Sequence, residues 1–142
     1  MTAHAILLAN LSAALFLTGL SWFLQIVEYP LLAHLDTPDF PKFAALHRRR
    51  NTLLMAGPMT VEMITAAWML VRPELPHRDV FHAFLLLIVI WLITFSRHFP
   101  LHRRLLHGYN REILRSLEKW NWLRTLCWTA RAGLLIFIAR FC

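Results

Sequence analysis

Asn121-Trp122-Leu123-Arg124-Thr125-Leu126-Cys127-Trp128-Thr129-Ala130-Arg131 is the stretch that decides how this chain folds. Asn121, Arg124, Trp128 and Arg131 recur at spacings of three, four and three residues, so on a helix they share one face. Leu123, Leu126, Leu134, Leu135, Ile136, Phe137 and Ile138 around them suit lipid. Two arginines on one face of such a helix need partners, because an ionisable side chain within a membrane segment is costly and marks a site.

Working outward, 58% of the 142 residues are hydrophobic, and the mean hydropathy of +0.49 is unlike that of an ordinary soluble domain. Four runs, approximately 5–29, 53–71, 80–99 and 122–141, can each cross a hydrocarbon core of about 30 Å, which takes roughly 20 helical residues. The expected fold is all-α: a transmembrane four-helix bundle forming a single integral membrane domain over residues 1–142. No Lys or Arg precedes the first run, and its apolar stretch exceeds that of a secretory signal, so it reads as a retained span. Cys127 lies inside the fourth span and Cys142 ends the chain, which argues against a disulfide or a cysteine metal site.

The formal charge of +7 does not call for nucleic acid. Lys42, Arg48, Arg49 and Arg50 lie between spans one and two, and most other basic residues, from Arg97 to Arg124, lie between or beside spans three and four. Both connections fall on one side of the membrane, whereas the other side holds Arg72, Arg78 and Arg140. Positive charge stays in the cytoplasm, which places the basic loops there and both termini outside. Basic loops beside anionic lipid explain the charge without a further partner.

Asp36-Thr37-Pro38-Asp39 reads as a turn and helix start, followed by a short cytoplasmic helix over 40–50 that leads into span two. Pro100 is expected to stop or kink span three, and Gly108 to end the short turn carrying His102 and His107. Asn110 is a good N-cap. Beyond it, Ile113, Leu114, Leu117, Trp120 and Leu123 form an apolar stripe against Arg111, Arg115, Glu118 and Lys119, which predicts an interfacial amphipathic helix before span four. The sequence shows no internal repeat and no linker to a second domain.

At about 1.5 Å of rise per residue, Glu62 and Arg131 both lie roughly 15 Å deep and should pair near the midplane. Such a pair either fixes helix packing or takes part in catalysis or transport, and spacing alone leaves both readings open. Nearer the basic loops, Gln25, Glu28, His47, His98, His102 and Arg124 are expected to line a pocket. His47, His98, His102 and Glu28 are candidate ligands for a divalent transition metal, although Pro100 interrupts the His98–His102 spacing and no metal at all is the alternative. Met55, Met59 and Met63 form a stripe read as packing. Trp128, between the two arginines, could stack on a guanidinium or a flat apolar ligand.

Trp22-Phe23-Leu24-Gln25 to Tyr29-Pro30, His47 with Arg50, Gly57-Pro58-Met59 with Glu62, Pro100-Leu101-His102 with Gly108, and the run from Asn121 to Arg131 resemble a family of small bacterial four-span membrane proteins. That family is similar in turn to the anthrone-oxygenase-like membrane proteins. The resemblance covers nearly the whole chain, and its most specific element is the run from Asn121 to Arg131. Relatives often carry His where this chain has Glu28 and Gln where it has His98. The resemblance implies a four-helix bundle with a polar pocket near one face, and distant relatives are named for cofactor-independent oxygenation of a polycyclic phenol.

The leading expectation is a polar intramembrane site that binds a small apolar or phenolic molecule, or a metal, and carries out redox or oxygenase-like chemistry. In it Glu62 or Glu28 would handle protons, His47 and His102 would act as base or ligand, and Arg124 and Arg131 would stabilise an anionic state. Gln25, Asn121 and Trp128 would help to hold the bound molecule. The alternative is a small transporter or a non-catalytic subunit of a membrane complex, which predicts a homodimer or a partner membrane subunit.

Overall fold

The computed structural model of the chain describes residues 2–141, and within them it is an all-α four-helix bundle. Cys142 lies outside the described residues. Helix α1 (Ala3–Phe23) passes through a π-turn (Leu24–Glu28) into α2 (Tyr29–Leu32). Helix α3 (Phe40–Met69) returns. Helix α4 (His77–Ile93) passes through a second π-turn (Thr94–His98) into α5 (Phe99–Leu105), and α6 (Arg111–Ala139) closes the bundle.

The order of elements therefore occurs twice, 70 residues apart at both π-turns, although the sequence shows no repeat. Each π-turn is followed by a proline in second place of the next helix, Pro30 and Pro100. A proline inside an α-helix lacks an N–H and drives its ring against the carbonyl four residues back. Here the chain widens by one residue: the Tyr29 N–H bonds the Leu24 carbonyl and the Phe99 N–H bonds the Thr94 carbonyl. That relieves the clash without ending the helix. Of the two outcomes expected of Pro100, to stop or to kink span three, the first does not occur, and helical backbone reaches Leu105.

Two further expectations are corrected. The short helix before span two is not a separate element, since Phe40–Met69 runs unbroken through Gly57 and Pro58. Its start is Asp39 with Pro41 in the first turn, rather than Pro38. Likewise the amphipathic helix before span four is the first part of Arg111–Ala139. In both places the apolar face continues into the bundle, so burial favours one straight helix over a bend at the interface.

The ends of the α5–α6 connection follow the sequence. Gly108 takes φ 144°, a conformation that side chains other than glycine rarely adopt. The Asn110 side chain accepts from the Glu112 N–H at 3.0 Å and the Ile113 N–H at 3.1 Å. Asn110→Ala is expected to cost about 1 kcal/mol, the usual loss for a removed N-cap, read as a lower unfolding midpoint.

Three helical stretches, Ala3–Leu32, His77–Leu105 and Arg111–Ala139, are long and apolar enough to cross a membrane. The fourth, α3, falls short of the expected span over 53–71 on composition, because Thr52, Gly57, Pro58, Thr60, Glu62 and Thr65 dilute its apolar run. Large apolar side chains such as Leu53, Ile64, Leu92 and Leu126 face outward all around the bundle. An apolar exterior of that extent fits a lipid surround.

Around the bundle, α1 packs on α3 and α6, and α6 packs on α4, whereas α3 and α4 touch least although a short loop joins them. At the end holding the termini, Ile6, Leu7, Met69, Val80, Ala83 and Leu135 form a shared apolar core. At the opposite, basic end, Leu24, Tyr29, Phe40, Leu105, Leu114 and Leu117 form another. Polar residues occupy the layers between.

Candidate functional site

The midplane layer is a closed lock. Arg131 pairs through Nη1 with Oε1 of Glu62, and neither side chain is exposed. Its Nη2 donates to Asn10 Oδ1 at 2.7 Å and its Nε to the Ala83 carbonyl at 3.0 Å. The second carboxylate oxygen of Glu62 accepts from Trp128 Nε1 at 3.2 Å. Asn10 also donates to the Glu62 carbonyl at 2.8 Å and to Thr65 Oγ1 at 2.7 Å. One arginine therefore ties α1, α3, α4 and α6 together, with both oxygens of its carboxylate partner in use. The depth argument placed Glu62 and Arg131 opposite each other, but it missed Asn10, whose only sequence signal is an amide inside an apolar run.

Gln25 and Asn121 form a second buried cluster rather than a ligand wall. Asn121 Nδ2 donates to Gln25 Oε1 at 2.9 Å, and Ser21 Oγ and Thr125 Oγ1 lie 2.6 Å apart beside them. Neither Gln25, Asn121 nor Trp128 lines the bundle's larger cavity.

That cavity, of about 250 Å³, lies between α3 and the α4–α5 helix, with Leu24, Tyr29 and Arg124 at its back. Met55 and Met59 line it as well, which gives the methionine stripe a wall to form. Of the six residues expected around a pocket, His98, His102 and Arg124 line it, and Gln25, Glu28 and His47 do not. Trp91, which was not among the expected site residues, does; its indole Nε1 is buried without a hydrogen-bond partner.

Arg124 differs from Arg131 in what surrounds it. It is buried, yet no carboxylate among the described residues forms an ion pair with it. Its Nε has no partner, its Nη2 lies 4.0 Å from the Met55 sulfur, and its guanidinium stacks over the Trp128 ring at 4.9 Å. His98 is also buried, bonds the Trp120 backbone, and leaves Nε2 unpartnered. A proton on the nitrogen facing a carbonyl leaves the other nitrogen as an acceptor.

The remaining candidates run in file from the cavity to the basic end. The rings of His98 and His102 are 6.1 Å apart and those of His102 and His47 are 6.2 Å apart. His47 Nδ1 meets Glu28 Oε1 at 2.8 Å, while Asn51 Nδ2 and His47 Nε2 lie 3.2 Å apart. If Asn51 donates, the ring proton sits on Nδ1 and goes to Glu28. The helix carries His98 and His102 on one side despite Pro100. Among the described residues, however, no three His, Cys, Asp or Glu side chains converge closely enough to hold a metal ion. His47, His98, His102 and Glu28 form a chain of neighbours rather than a coordination shell.

The cavity offers the buried Arg124 guanidinium, the unpartnered His98 Nε2, the His102 ring, Arg48 at its basic end and a largely apolar wall. The chain matches no family model, no curated protein and no solved structure.

Proposed function

We propose that this is a membrane-embedded binding protein for an apolar molecule bearing an ionised oxygen, with Arg124 as the counter-charge and His98 Nε2 as a hydrogen-bond acceptor beside it. The observation that carries this reading is the buried Arg124 guanidinium, which faces the cavity and has no carboxylate partner among the described residues. A cation held in an apolar setting costs several kcal/mol unless something anionic completes it, so the cavity favours a ligand that supplies the charge. A phenol would bind there as its phenolate against Arg124, its proton given up to the medium.

In this reading Glu62 and Arg131 hold the bundle together and do no chemistry, since every group they offer is already bonded. The oxygenase-like activity implied by the resemblance would use the same first step, because a phenolate is the electron-rich form of the ring. Helix α3 crosses the membrane with the other three, carrying Glu62 opposite Arg131. The charge distribution supports a cytoplasmic basic end, and the resemblance supports a bacterial inner membrane.

The test uses 4-nitrophenol, whose phenolate absorbs in the visible, added to the detergent-solubilised protein one pH unit below the probe's solution pKa. Saturable binding should bring up the phenolate band, and Arg124→Gln should remove it. Binding of a neutral probe, or a phenolate band that survives Arg124→Gln, would overturn the assignment.

A further inference from the structure

The two walls of the cavity differ. On α3 the rim is Thr52, Ala56 and Thr60, four residues apart and therefore on one face, and all three are exposed. Opposite stand Trp91, Phe95 and Phe99, whose rings meet in sequence, tilted at 5.3 Å and edge-to-face at 5.0 Å. Phe95 is 50% exposed and Phe99 42%. Small side chains facing an aromatic ladder leave a seam between the two helices that touch least. The seam opens where the outward surface of α3 and α4 is apolar, so it faces lipid rather than water.

The lining runs along α3 from Arg48 to Thr60, a rise of about 18 Å at 1.5 Å per residue, close to one leaflet of a bilayer whose hydrocarbon core is about 30 Å. Its charged and imidazole groups, Arg48, His102, His98 and Arg124, lie toward the basic end and the back wall, and Met59, Thr60 and Trp91 lie toward the midplane. The volume of about 250 Å³ is smaller than the roughly 300–1,000 Å³ of pockets that enclose a drug-sized ligand. It can seat a head group and the first part of a chain, not a whole lipid.

From this geometry we infer that the cavity is loaded sideways from the bilayer through the α3–α4 seam. Its ligand is a membrane amphiphile whose anionic head meets Arg124 while its tail leaves past Trp91 and Phe95 into lipid. The inference rests on Arg124 as the anion partner and adds the ligand's class and its route. Polarity follows the same axis in the ligand and in the leaflet: the head end of the cavity is the end nearest the basic loops. A carboxylate, a phosphate monoester or a phenolate on a long apolar chain meets these requirements, and a small water-soluble anion supplies only the head.

The protein in lipid nanodiscs is irradiated with a stearate carrying a diazirine at mid-chain, and the labelled residues are mapped by mass spectrometry. Labelling should concentrate on Ala56, Thr60, Trp91 and Phe95 and be displaced by plain stearate but not by acetate at the same concentration. Ala56→Trp fills the seam from an exposed position, so labelling should fall roughly tenfold, about 1.4 kcal/mol of binding, with the unfolding midpoint unchanged. Labelling spread over all lipid-facing positions without displacement would overturn the route. So would acetate competing as well as stearate, since the ligand would then be a soluble anion. If 4-nitrophenol binds as its phenolate while stearate does not label the seam, the sideways route fails and the anion site stands; if neither binds, both fail.

Discussion

Arg131→Met is expected to destabilise the bundle by about 3–5 kcal/mol, the cost of leaving the partner of a buried pair uncompensated. The Glu62 carboxylate would lose Arg131 and keep only the Trp128 indole, Asn10 would lose its acceptor role, and the Ala83 carbonyl would lose its donor. A drop in the unfolding midpoint of the detergent-solubilised protein, with earlier loss of helix, is the measurement. The double variant Glu62→Gln with Arg131→Met removes both charges at once and should recover much of the loss, because a buried pair replaced whole is often close to neutral. If the single and double variants are equally destabilised, the pair's charge is not what holds the four helices. If the single variant is as stable as the parent, the lock has no role.

Arg124→Gln should do the opposite to stability while removing binding. Desolvating a guanidinium costs several kcal/mol per ion, and the stacking on Trp128 at 4.9 Å returns only about 0.5–2 kcal/mol. No ion pair makes up the difference. The ligand-free protein should therefore gain about 1–3 kcal/mol when the charge is removed, seen as a raised midpoint. Affinity for the phenolate or carboxylate probe should fall roughly tenfold to a hundredfold, as expected for a lost charge-assisted hydrogen bond of about 1.5–3 kcal/mol. A functional group is often kept at the expense of stability, and this pairing of effects is its signature. Loss of stability together with unchanged affinity would make Arg124 a second packing residue.

The two arginines sit on the same stripe seven residues apart, and nothing in their spacing separates a lock from a site. Depth arithmetic could match Arg131 with Glu62 because rise per residue is fixed. It could not show that Asn10 and Trp128 complete the pair, because those bonds depend on how three other helices are rotated about their axes. Nor could spacing reveal that Glu28 and His47 would bond one another outside the cavity while Trp91 would line it.

The sequence by itself determined the helical class, three apolar stretches long enough to cross a membrane, the Gly108 turn, the Asn110 cap and the face that carries the buried polar residues. Each of these follows from local rules: period, length, backbone freedom and capping. Tertiary structure decided that Pro30 and Pro100 follow π-turns rather than end helices, and that the amphipathic leads fuse with the long helices. It also decided which of two chemically identical guanidinium groups is satisfied. That distinction is set by what the neighbouring helices bring within hydrogen-bond reach, and a single strand of sequence carries no measure of it.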